Sequence, residues 1–187
     1  MRVFGIDPGS ERTGYGCVET DGSRHRIITC GAVSTRAADS FSGKLFEIHR
    51  RLVDLLAECR PDSVAIENIF YATNVRSALK LGHARGVAML AAAQAGLTVV
   101  EYTPAEIKRA VVGYGRAEKP QVQQMVKLLL GLEVVPSPHD AADALAVAIC
   151  HVLSHPPVRS MVTQPLLPGR RTLTTATMWR RYRPARP

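Results

Sequence analysis

Four carboxylates in this 187-residue sequence stand where an apolar segment ends or begins. Asp7 closes the run Val3-Phe4-Gly5-Ile6 and enters the turn Asp7-Pro8-Gly9-Ser10, and Glu67 closes Val64-Ala65-Ile66. Asp140 and Asp143 are three residues apart at the start of an apolar, helix-like segment, so both project from nearly one face. Each acid has a plain structural reading. Asp, Pro and Gly are favoured turn residues, a strand-end Glu can point to water, and Asp140 can cap a helix. Asp143 has less of one, because its neighbours Ala141, Ala142, Ala144 and Ala146 are small and an acid among them needs a partner. Were the four to converge, they would repel and raise one another's pKa. A divalent cation removes that conflict, and all-oxygen ligation favours Mg²⁺ or Mn²⁺ over zinc. Two such ions, about 3.5–4 Å apart, can activate a water and stabilise the leaving oxygen in phosphodiester cleavage.

Positioning these acids requires a sheet whose strand ends meet a helix N-terminus. Residues 2–7, about 14–20 and about 25–34 read as three strands of an antiparallel meander. A helix follows to Glu58, with Leu45, His49, Leu52, Leu56 and Cys59 at helical spacing. A fourth strand, 62–67, precedes a long helix from about Asn74 to Ala95, and a fifth strand spans 97–102. Thr103-Pro104-Ala105-Glu106 is a capping box with Pro at the first helical position. A further helix carries Val122, Met125, Val126, Leu129 and Leu130, and Ser137-Pro138-His139-Asp140 repeats the cap logic before a last helix to about Leu153. The expected class is α/β, a mixed five-stranded sheet flanked by helices. In the long helix, Val75, Leu79, Gly82, Gly86, Met89 and Ala93 form one seam. Ala78, Leu81, Val87, Ala88 and Ala91 form another apolar face. One side suits the sheet, the other a second subunit or an internal cover.

The formal net charge of +8 is mostly a property of the end of the chain. Residues 156–187 hold seven arginines and no acid; removing those seven from the 24 basic residues leaves 17 against 16 acidic ones in residues 1–155. The expectation is one α/β domain at 1–155 and a flexible basic tail at 156–187, where no apolar periodicity is evident. Within the domain, no acid lies between Glu67 and Glu101 while Arg76, Lys80 and Arg85 do, a pattern that fits a phosphate backbone or a solvated helix face. Phe70-Tyr71 beside Arg76 is the best aromatic–basic group, suited to unpaired bases, although strand-end aromatics are commonly core. The longest uncharged run is 15 residues, Gly86 to Val100, too short to span a bilayer comfortably. Strand-like sequence begins at once, without a signal region, and Cys17, Cys30, Cys59 and Cys150 show no metal or redox spacing. A cytoplasmic location with no membrane attachment is expected.

Several separated motifs carry a resemblance. They are Gly5-Ile6-Asp7-Pro8-Gly9-Ser10 with Thr13-Gly14-Tyr15-Gly16, Ala65-Ile66-Glu67, Ser77 to Gly86, Val111-Val112-Gly113 with Ala117-Glu118-Lys119, and Asp140-Ala141-Ala142-Asp143-Ala144-Leu145-Ala146. In this order, from residue 2 to about 153, they resemble the RuvC family of bacterial Holliday-junction resolvases. The resemblance implies an RNase H-like fold, a homodimer, and paired symmetric nicks in a four-way DNA junction during recombination and repair. It implies that Asp7, Glu67, Asp140 and Asp143 are catalytic and hold the metal, Mg²⁺ with Mn²⁺ as substitute and two ions per subunit. It implies that Phe70 stacks on junction bases, that Lys108 and Lys119 lie near the scissile phosphate, and that the branch-migration complex RuvA–RuvB is a partner; Arg76 joins the DNA-binding set. His139, immediately before Asp140, leaves open which side chain completes the metal shell. The first turn is also similar to the phosphate turn of actin-like ATPases, which need two such domains around a nucleotide and more than 187 residues.

Overall fold

The computed structural model describes residues 1–36, 39–68 and 74–155. Phe70 and the whole of 156–187 therefore lie outside the described residues. Strands β1 (Arg2–Asp7), β2 (Arg12–Thr20) and β3 (His25–Ser34) form the expected meander. They are followed by α1 (Phe41–Cys59), β4 (Ser63–Glu67), α2 (Val75–Gln94), β5 (Thr98–Tyr102), α3 (Pro104–Val112), α4 (Lys119–Leu129) and α5 (His139–Ser154). The sheet order is β3-β2-β1-β4-β5, with β4 parallel to both β1 and β5. β1 is thus central, and it is buried at Val3, Phe4, Gly5 and Ile6 because both faces are covered. Such burial explains its unbroken apolar run.

Two cores flank the sheet. One face packs α3, α4 and α5 against Val3, Val18 and Ala65. The other packs α1 and α2 against Phe4, Ile6, Cys17, Val64 and Ile66. The alternation of residues along β1 and β4 between these cores is the two-residue period of a strand. α5 is nearly fully buried from Ala141 to Val152 and lies directly on β1 and β2. Two glycines permit this contact: a Cβ on Gly5 would overlap the Ala144 carbonyl, and one on Gly14 would overlap the carbonyl of Asp140.

Two local expectations are corrected. The buried stripe of α1 runs through Lys44, Ile48, Leu52, Leu55, Leu56 and Cys59 rather than through Leu45 and His49. A lysine can occupy it because Lys44 Nζ lies 2.7 Å from Glu11 Oε1, 33 residues away in the chain. α5 is not capped by Asp140: Pro138 is the N-cap, without a side-chain cap bond, and Asp140 sits inside the first turn. By contrast α3 begins with the expected capping box, Thr103 and Glu106 bonding reciprocally.

Candidate active site

Three elements deliver the acids to one edge of the sheet. Asp7 ends β1 and Glu67 ends β4, its parallel neighbour, so both leave the sheet at the same end. The N-terminal turn of α5 brings Asp140 and Asp143 over that end because Gly14, opposite Asp7 on β2, lets the helix backbone touch the strand. This is the crevice outside the carboxyl ends of strands where open α/β sheets place their sites.

The electrostatics record the convergence. Burial, then the charges of Glu67 and Asp143, push Asp7 up to about 8, with smaller contributions from the hydrogen bond to Glu67 and from Asp140. Glu67 is also raised, chiefly by burial and despite the opposing bond from Asp7 and the nearby Lys119 and Lys108. The hydrogen bond between the two carboxyls raises Asp7 and lowers Glu67, so Asp7 is the member of the pair that keeps a proton more readily. The acids of α5 are treated differently. Asp143 Oδ2 lies 2.6 Å from Lys119 Nζ, and Asp140 Oδ2 lies 3.5 Å from Arg12 Nε. The bond to Asp143 raises the Lys119 ammonium further.

A crevice of about 360 Å³ opens beside the acids, lined by Glu67, Asp143, Lys108, Lys119, Ile107 and Val122 among others. Both predicted lysines thus stand at the acids, Lys108 from α3 and Lys119 from the first position of α4. Arg76 does not line this crevice; it is exposed in the first turn of α2, two residues after the Asn74 cap. His139 Nδ1 accepts from the Gln123 amide at 3.1 Å, tying the start of α5 to α4.

The donor set suits a hard divalent cation: four carboxylates and no thiolate, one of them forced to keep its proton, and two attended by cationic side chains standing where positive charge is needed. Among the described residues no three of these side chains are drawn close enough to enclose an ion in this structure. Each of the two ion pairs engages an α5 carboxylate, Arg12 with Asp140 and Lys119 with Asp143. Arg12 is the site residue that sequence reasoning missed. Its signal was a cation five residues after Asp7, but its pairing depends on where α5 crosses β2.

The crossover junction endodeoxyribonuclease RuvC family model matches residues 3–151. The chain is 58% identical over 153 residues to a crossover junction endodeoxyribonuclease RuvC from Koribacter versatilis, covering 81% of this chain and 92% of that protein. It is 50% identical over 184 residues to the protein of the same name from Pelobacter propionicus, covering 98% of this chain and all of that one. Among solved structures, Thermus thermophilus RuvC in complex with Holliday junction substrate superposes with a TM-score of 0.79 at 37% identity, covering 82% of this chain and 94% of that chain.

Proposed function

The chain belongs to the RuvC family of crossover junction endodeoxyribonucleases, and from that membership we propose how its own residues cut a junction. It is a Holliday-junction resolvase of the RNase H-like fold, acting in recombination and repair. The observation that carries the site assignment is the convergence of Asp7, Glu67, Asp140 and Asp143 from β1, β4 and α5 beside Lys108 and Lys119. These four acids would hold two Mg²⁺ ions, with Mn²⁺ able to substitute. When bound, the ions supply an activated water and charge neutralisation at the leaving oxygen.

The protein's own part is positioning and charge. As a ligand Asp7 would have to be deprotonated, so metal binding would compete with protons. Lys108 and Lys119 line the wall a scissile phosphate would meet, and Lys119 can exchange Asp143 for that phosphate. Arg76, at the exposed start of α2, would contact the backbone farther from the cut. Phe70, by resemblance, would stack on bases freed at the branch point.

Paired nicks need two sites related by symmetry, and α2 supports a homodimer. Of the expected seam, Val75, Leu79, Gly82, Gly86 and Ala93 are exposed, whereas Met89 packs against the core and Leu90 is exposed in its place; Ala84, Ala88, Ala91 and Ala92 are buried in the core shared with α1 and the sheet. A Cβ on Gly82 or Gly86 would meet nothing among the described residues, which leaves room opposite for a second copy. RuvA and RuvB are the proposed partners on the same junction. No helix among the described residues is long and apolar enough to cross a membrane; a cytoplasmic location fits four free cysteines. The test is purified protein with Mg²⁺ on a labelled four-way junction, with linear duplex as control. Symmetric nicks in the junction and an intact duplex are expected; absence of junction nicking, or equal cutting of the duplex, overturns the assignment.

A further inference from the structure

Arg12 opens β2 at the corner where the first turn meets α5. Its backbone is held there on several sides. A Cβ on Gly9 would overlap the Arg12 carbonyl, so the turn closes directly against it. The next residue, the buried Thr13, donates its hydroxyl to the Gly9 carbonyl at 2.7 Å and accepts from the Gly9 amide at 3.3 Å. Gly14 then abuts the Asp140 backbone. The anchor of the side chain is fixed, but the head is not enclosed: the Arg12 side chain is 55% exposed, against 27% for Asp140.

The Arg12 guanidinium faces Asp140 from the solvent side at 3.5 Å, an exposed pairing that is easily exchanged. A divalent cation on the same carboxylate would weaken it further, because the two cations repel and the ion carries twice the charge. An exposed head on a fixed anchor has somewhere to go, and in the working complex the negative charge beyond the acids is a DNA phosphate. We propose that Arg12 is a displaceable counter-ion of this site: it holds Asp140 in the empty state, is expelled by the incoming metal, and then pairs with the DNA backbone. The inference rests on the reading of the four acids as metal ligands.

Two readouts other than cleavage test it. Mn²⁺ binding, followed by the loss of the free-ion electron paramagnetic resonance signal, should be about two- to fivefold tighter in Arg12→Gln than in the native chain, the range expected of an exposed ion pair. Arg12→Lys, which keeps the charge, should restore the native affinity. Junction binding should have the same salt slope in both proteins with chelator, but in Ca²⁺ the slope of Arg12→Gln should be shallower by about 0.9, one phosphate contact. Unchanged or weaker Mn²⁺ binding by Arg12→Gln, a Lys variant that behaves like Gln, or equal slopes in Ca²⁺ overturns the proposal. Asp7→Asn separates the two readings. If it binds Mn²⁺ as tightly as the native chain, the metal site itself is misassigned and the counter-ion falls with it; if it binds weakly, a failure in Arg12→Gln counts against Arg12 alone.

Discussion

Asp7 and His151 show how burial gives one residue opposite meanings at the two ends of α5. Asp7 is driven to hold a proton by its surroundings and by three other acids, an arrangement that is costly for an empty protein and useful for one that captures a cation. Replacing it by Asn should abolish junction nicking while leaving junction affinity within about twofold, since affinity comes from basic groups. Nicking rates and binding isotherms of the purified variant check this. His151 is buried under Tyr102, accepting or donating at Nδ1 with the tyrosine hydroxyl at 2.9 Å and at Nε2 with Ser63 Oγ at 3.1 Å. Burial, then the neighbouring His155, holds it below its ordinary value of about 6.5. The folded chain therefore binds fewer protons than the unfolded one just below that pH, and its stability falls as pH drops from about 6.5 toward the folded value. Urea midpoints at pH 7 and 5.5 should show a loss that is reduced in His151→Gln. Equal losses in the two proteins would show that His151 is not its source.

At the scale of elements, the site depends on how closely α5 lies on the sheet. Gly14→Ala forces a methyl into the Asp140 carbonyl, so the helix must lift, at about 1–3 kcal/mol for overpacking. Denaturant titration should show that loss, with a fall in nicking exceeding the unfolded fraction because Asp140 moves relative to Asp7. The same contact explains what the sequence could and could not disclose. The positions of the acids at strand ends and at a helix start were legible from the apolar segments they bound, although each also had a plain local reading as a turn, strand-end or cap residue. The capping box of α3 was legible for a different reason, since Thr103 and Glu106 answer each other within one turn. Arg12 with Asp140, and Lys44 with Glu11, were not: each pair joins residues far apart in the chain, and periodicity carries no information about such partners. Asp140 was read as a cap by local rules, whereas the structure gives it a long-range partner instead.

For the whole molecule, the α2 seam and the terminal segment are the features that reach beyond one domain. Gly82→Glu adds a side chain at a position where a Cβ meets nothing among the described residues and improves helix propensity by up to about 1 kcal/mol. It should thus keep or raise the melting temperature while shifting a dimer to monomer in analytical ultracentrifugation; a dimer of native affinity would remove α2 from the interface. Truncation after His155 removes seven arginines and none of the four acids. It should preserve the melting temperature and flatten the salt dependence of duplex binding by about 0.9 for each lost phosphate contact. Binding isotherms at several salt concentrations decide, and an unchanged slope would mean the arginines do not touch DNA.

The contribution of two of the four acids by α5 has a consequence for the order of synthesis. Asp7 and Glu67 leave the ribosome long before Asp140 and Asp143, and α5 is the last described element. An interrupted chain lacking α5 would carry half of the proposed ligand set and would lack the helix that covers β1 and β2. On that reading a shortened translation product cannot nick, and the site is completed only as α5 docks.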